Sequence, residues 1–286
     1  MAGRTIKARH GAYRDDIADL VTRRPVPGPG VQQVDPFLFL NHHGPQVYPP
    51  NNRGLPFRPH PHRGFETVTF ILEGELSHLD SGGHESVIRA GGIQWMTAGS
   101  GLVHAELSPD AFKRAGGPLE ILQLWVNLPA ALKFAPPRYV GLQREDIPVA
   151  KLDEGRVEAQ VIAGRLGDVE GPYDPLVDIF MATIAFKPGG SVSLPAAAER
   201  NVFLYIVRGE VAVGGAPVKA HELVELNGDG QTVELSASSD AVVLFGHAVP
   251  FGEPVVSHGP FVMNTREQIV DAINDYNAGK FGVVPG

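Results

Sequence analysis

The clearest hydrophobic pattern starts at Glu66. Residues 66–79, ETVTFILEGELSHL, are dominated by β-branched and aromatic side chains and punctuated by Gly74, which predicts strand rather than helix. DSGGHE at 80–85 has the composition of a hairpin turn, and SVIRAGGIQWMTAGSGLVHAEL after it reads as further short strands broken by glycines. LEILQLWVNLP (119–129) is another strand, closed by Pro129. From about 130 to 155 the periodicity lapses among Pro136, Pro137, Pro148 and mixed charges, as expected of an interdomain connection.

The second half repeats the pattern. NVFLYIVRGEVAVGG (201–215) resembles TVTFILEGELSHLD when Gly209 is laid on Gly74, an offset of 135 residues. A repeat of that length is a domain, so two similar all-β units in tandem are expected. The end of the chain alone reads as helix. In NTREQIVDAINDYNAGKF, Thr265 and Gln268 have capping-box spacing, Ile269, Ile273 and Tyr276 form an apolar stripe, and Gly279 suits a C-terminal cap. Such a helix is expected to pack on its own, C-terminal β-domain.

Composition narrows the function classes. With 286 residues and 43% hydrophobic positions the chain can bury a sizeable core, and 34 glycines and 25 prolines fit many short strands joined by turns. The net charge of −8 argues against a nucleic-acid or anionic-membrane surface. Cysteine is absent, which removes disulfides, thiolate metal sites and thiol nucleophiles. No stretch reads as a signal peptide or a bilayer span, and a cytoplasmic location is the default expectation.

The chemistry concentrates in two short pairs. In RPHPHRGFE, His60 and His62 sit two residues apart around Pro61, which favours extended backbone, so both imidazoles project to one face. Glu66 follows at the same parity. About forty residues later, GLVHAEL repeats the spacing with His104 and Glu106. Two such pairs facing each other in a small barrel supply three neutral nitrogens and a carboxylate. That set suits a divalent first-row metal and leaves positions open on an octahedral ion.

These motifs carry a specific resemblance. Gly54, His60, His62, Glu66 and Gly74, then Gly101 and His104, resemble the two sequence motifs of the cupin superfamily. HPHRGFETVTFILEGELSHLDS, GGIQWMTAGSGLVHAE, DPFLFL and GPFVMNTREQI together resemble the pirin family, over nearly the whole chain. The resemblance implies an all-β fold of two tandem cupin (jelly-roll) β-barrels with a short C-terminal helix. The boundary expected from it places a metal-binding domain at 1–134 and a degenerate domain with the terminal helix at 135–286. It also implies one divalent metal, iron(II) foremost with manganese, nickel, copper and zinc as alternatives, held by His60, His62, His104 and Glu106. Glu66 stands where many other cupins place a glutamate ligand; here its expected role is to orient a ligand imidazole. By the 135-residue offset, His60, His62 and Glu66 correspond to Pro195, Ala197 and Asn201, so the second barrel is expected to hold no metal.

The family resemblance implies two functions. One is a quercetin 2,3-dioxygenase-like enzyme, taking a flavonol and O2, in which Glu106 is both ligand and proton acceptor. The other is an iron-dependent regulator acting through protein partners. A monomer is expected in either case. Of the other histidines, His42 and His43 read as loop or surface residues and His78 and His84 as solvated positions beside a turn, while Trp95 and Met96 read as barrel core.

Overall fold

The computed structural model describes residues 2–284, and strands dominate it. No helix among the described residues is long and apolar enough to cross a membrane. The chain forms two compact units. The first comprises Arg14–Arg23, Leu38–Glu145 and the segment from Phe251 onward; the second comprises the stretch through Tyr13, Arg24–Phe37 and Asp146–Pro250.

The first unit has a large and a small antiparallel sheet. Strands Arg138–Leu142, Ile93–Thr97, Phe65–Glu73, Gly117–Asn127 and Phe37–Tyr48 lie side by side in the large sheet, in that order. The small sheet has the order Phe57–His62, Leu102–Leu107, Glu75–Asp80, Glu85–Arg89. The predicted strand at 66–79 is therefore two strands, divided between the two sheets at Gly74. There the backbone is left-handed (φ 84°), and a side chain would collide with the Pro118 carbonyl.

The second unit repeats the arrangement. Its large sheet contains Asn201–Arg208 between Glu222–Leu226 and Ala241–Ala248, and its small sheet has the order Gly190–Pro195, Thr232–Ala237, Glu210–Val213, Ala216–Lys219. Its interior holds a large apolar cluster, with Leu194, Val211, Val213, Val233 and Leu235 buried together. In the small sheet Leu194 stands opposite Val233 and Val192 opposite Leu235. These pairs occupy the interior where the first unit carries histidines. The fixed offset pointed instead to Pro195 and Ala197, because five residues separate the two strands here and only two separate them in the first unit.

The units are interleaved, so a single cut at 134/135 does not separate them. Ile6–Gly11, at the start of the chain, pairs antiparallel with Glu222–Leu226 in the second unit. The terminal helix, Arg266–Asn277, belongs to the first unit and not to the second. Its capping box at Thr265 and Gln268 is present as expected, but its buried Ile269 and Ala272 pack with Val103, Phe261 and Phe281. Nor is 130–155 a plain connection: Arg138–Leu142 pairs with Ile93–Thr97, and Val149–Leu152 pairs with Val157–Ala163. Short edge strands among prolines give little local signal, and the partner of Arg138–Leu142 lies some forty residues earlier in the chain.

The C-terminal segment is fastened beside the strand that carries His60 and His62. Arg63 bridges to Phe261, its guanidinium meets Asp275 at 2.9 Å, and it lies 4.5 Å from the Phe281 ring centre. Lys133 is fully buried, and its ammonium donates to the Gly64 carbonyl (2.9 Å), the Asn127 side-chain oxygen (2.8 Å) and the Val262 carbonyl (3.1 Å). All three of its protons are used. Replacing it with an apolar chain leaves three acceptors without their donor, so Lys133→Met is expected to lower unfolding free energy by about 3 kcal/mol in urea titrations. An unchanged midpoint would contradict this role.

Candidate metal centre

The small sheet of the first unit brings the two histidine motifs together through its register. Strands Phe57–His62 and Leu102–Leu107 pair antiparallel, with His60 opposite His104 and His62 opposite Leu102. Directly opposed side chains on one face lie within contact distance, and i, i+2 neighbours share that face. The three rings accordingly converge, with centroid separations of 4.4 Å (His60–His104), 4.8 Å (His60–His62) and 5.0 Å (His62–His104). One ring nitrogen from each lies within 4.8 Å of the others.

The hydrogen bonds leave the lone pairs of this triad aimed at one another. His60 Nδ1 is 2.7 Å from the Arg58 carbonyl, and His62 Nδ1 is 3.2 Å from the Pro260 carbonyl. A carbonyl only accepts, so both Nδ1 atoms carry a proton, and in the neutral ring that leaves the lone pair on Nε2. His104 is 1% exposed, and neither of its ring nitrogens has a hydrogen-bond partner. Burial, with the neighbouring imidazoles second, pushes His62 down to about 3 and His104 well below the usual histidine range. For His62 and His104 these are the signs of neutral imidazole ligands. A buried polar ring without a partner is costly, and a divalent first-row cation on the three nitrogens relieves that cost. The residues present fit such an ion.

Glu106 lies on the same strand but outside this cluster. It is 3% exposed and reaches across the barrel, where Thr69 Oγ1 donates to its Oε1 at 2.9 Å and Gln123 Nε2 donates to its Oε2 at 2.5 Å. The register slips between His104 and Glu106, which stands opposite Phe57. The extra residue of that bulge is on Phe57–His62, since Leu102–Leu107 pairs regularly with Glu75–Asp80, so the two donors on the large sheet set where the Glu106 carboxylate points. Of the four expected ligands, three converge and the fourth is engaged by hydrogen bonds.

Glu66 faces elsewhere. Thr69, three residues along the same regular strand, points to the site, so Glu66 is on the opposite face; it accepts a 2.6 Å bond from Thr97 Oγ1. The parity argued from His60 and His62 is lost at Gly64. There the chain leaves one sheet for the other with φ 88°, and a side chain would collide with the Val262 carbonyl.

Several histidines expected at the surface are buried. His42 and His43 lie on Phe37–Tyr48, His42 Nε2 2.8 Å from Glu120 Oε1 and His43 Nδ1 2.8 Å from Thr22 Oγ1. His78 is buried opposite Glu106, its ring stacked on Tyr139 at 3.9 Å and its Nε2 2.9 Å from Asp80 Oδ2. Burial raises the Asp80 carboxyl, but hydrogen bonds from His78 and from the His84 backbone and ring outweigh it and hold the group down to about 2. Only His84 of that pair reaches solvent, with a side chain 47% exposed. Trp95 and Met96 are core residues, as expected. Sequence reasoning gave no role to Thr69, Gln123 or the aromatic wall of Phe39 stacked on Trp125 at 4.6 Å. The signal available for Gln123 was a polar residue inside the apolar run ILQLWV.

Two antiparallel barrels in one chain, one carrying a histidine triad and the other an apolar interior, define a bicupin. The Pirin family model matches residues 19–126, and the model described as the Pirin C-terminal cupin domain matches 181–282. A pirin-like protein of Caulobacter vibrioides is 40% identical over 280 residues, covering 96% of this chain and 98% of that protein. A pirin-like protein of Solanum lycopersicum is 38% identical, covering 92% and 87%. A crystal structure described as quercetin 2,3-dioxygenase from Acinetobacter baumannii superposes with a TM-score of 0.92 at 32% identity, covering 98% and 99% of the two chains. The chain belongs to the pirin family.

The orphaned nitrogens of His104 give a two-sided test. His104→Leu removes a buried polar ring, so the metal-free protein is expected to melt at the same temperature or a few degrees higher. The rise in melting temperature on adding iron(II) or cobalt(II) to the wild type should be lost in the same variant. A metal-dependent rise that survives His104→Leu would place the ion elsewhere.

Proposed function

We propose that this chain is a mononuclear metal-dependent dioxygenase that opens the heterocycle of a flavonol with O2. The observation that carries this reading is the convergence of three imidazoles, two of them buried and one of those without a partner at either nitrogen. Likeness to the Acinetobacter baumannii structure supports the substrate class. His60, His62 and His104 would hold a divalent ion, iron(II) foremost, with Glu106 as the adjoining carboxylate. When bound, that ion supplies a Lewis-acidic, redox-active centre open to a chelating substrate and to O2.

The remaining work falls to side chains. The carbonyls of Arg58 and Pro260 fix His60 and His62 in the tautomer that presents Nε2. Phe39 and Trp125, both half-buried, offer flat faces to the fused rings and keep water from the reacting carbons. Glu106 Oε2 takes the proton of the flavonol 3-hydroxyl, while Thr69 keeps the carboxylate oriented through Oε1.

Adding quercetin without oxygen to the iron-loaded protein should shift the flavonol absorption band, and admitting air should consume O2 and release carbon monoxide as the band decays. No shift and no carbon monoxide would end this reading. Glu106→Gln should lower turnover at least about a hundredfold while part of the metal is retained, because an amide oxygen still ligates but takes no proton at neutral pH. Turnover within a few-fold of wild type would remove Glu106 from the proton transfer.

A further inference from the structure

We propose that Thr69 and Gln123 form a clamp that holds Glu106 away from the histidine triad, so that Glu106 is a reserve ligand whose engagement the metal must win from two protein donors. The inference rests on the metal reading above and concerns residues that reading leaves without a role in metal affinity.

Both carboxylate oxygens of Glu106 are already engaged, Oε1 by Thr69 Oγ1 at 2.9 Å and Oε2 by Gln123 Nε2 at 2.5 Å. The donors sit opposite each other on adjacent strands of the large sheet, where Thr69 pairs with Gln123. The carboxylate comes from the small sheet, so the clamp spans the barrel interior. Short hydrogen bonds to a carboxylate are charge-assisted and about twice as strong as neutral ones. The Thr69 bond is buried and the Gln123 bond partly so. The triad draws its ligands together without Glu106, which is absent from the cluster that His60, His62 and His104 form.

A metal that recruits Glu106 must then break or bend the Gln123 bond. Removing the donor leaves the buried carboxylate under-satisfied, and the ion becomes its best remaining partner. Most changes beside a metal site weaken binding by loosening the ligands. The clamp predicts the opposite sign.

The test uses the full chain, stripped of metal and titrated with cobalt(II) against a chromophoric chelator. Gln123→Leu is expected to bind cobalt(II) roughly tenfold more tightly than wild type, the worth of one charge-assisted bond. Thr69→Val should shift affinity the same way by a smaller factor, and Thr69→Ser, which keeps the donor, should match wild type. The gain must vanish in Gln123→Leu/Glu106→Ala, a coupling that a general change in packing would not produce. Unchanged or weaker binding by folded Gln123→Leu overturns the clamp while leaving the metal reading intact. Failure of the wild type to bind cobalt(II) overturns both. If Gln123→Leu does not fold, Thr69→Val against Thr69→Val/Glu106→Ala decides by the same criterion.

Discussion

One cross-strand pairing governs the site: His60 opposite His104 in the small sheet of the first unit. From it follow the convergence of the three rings, the burial of His62 and His104, and the lack of any partner for the nitrogens of His104. A buried imidazole whose two nitrogens are both unsatisfied costs about 1–3 kcal/mol for each group left unpaired. The fold carries that cost at the centre of a barrel and surrounds it with fixed supports: the Arg58 and Pro260 carbonyls, the aromatic wall, and the Arg63 and Lys133 anchors of the C-terminal segment. Arrangements of this kind hold ligands ready for an ion.

The two units make the same point by contrast. Each has a large sheet and a four-stranded sheet with matching strand order. At the inward positions of the small sheet, however, the apolar pairs Leu194 opposite Val233 and Val192 opposite Leu235 take the place of the histidines of the first unit. Apolar pairs fill the second barrel and stabilise it; histidine pairs open the first to chemistry. The architecture is shared and the site is not, so function follows the inward side chains.

What the sequence revealed depended on how local the signal was. The His60/His62 and His104/Glu106 pairs, the strand-rich texture and the capping box at Thr265 are written within a few residues and were legible. The parity of Glu66 was not, because Gly64 turns the chain between sheets and resets which face comes next. The exchange of chain ends was also hidden: the pairing of Ile6–Gly11 with Glu222–Leu226 is a register between segments some two hundred residues apart. His42, His43 and His78 were misread for another reason. A polar residue in a strand looks solvated until its buried partner, here Glu120, Thr22 or Asp80, is known. Thr69 and Gln123 escaped notice likewise, since their meaning lies in a carboxylate reaching across from the other sheet.

The most direct measurement is anomalous X-ray diffraction from crystals of the protein as purified, recorded on either side of the absorption edge of whatever metal it retains. The expected result is one anomalous peak per chain, enclosed by Nε2 of His60 and His62 and by a ring nitrogen of His104, with none inside the second barrel. A peak away from the three imidazoles, or a second one among Leu194, Val233 and their neighbours, would contradict the central claim.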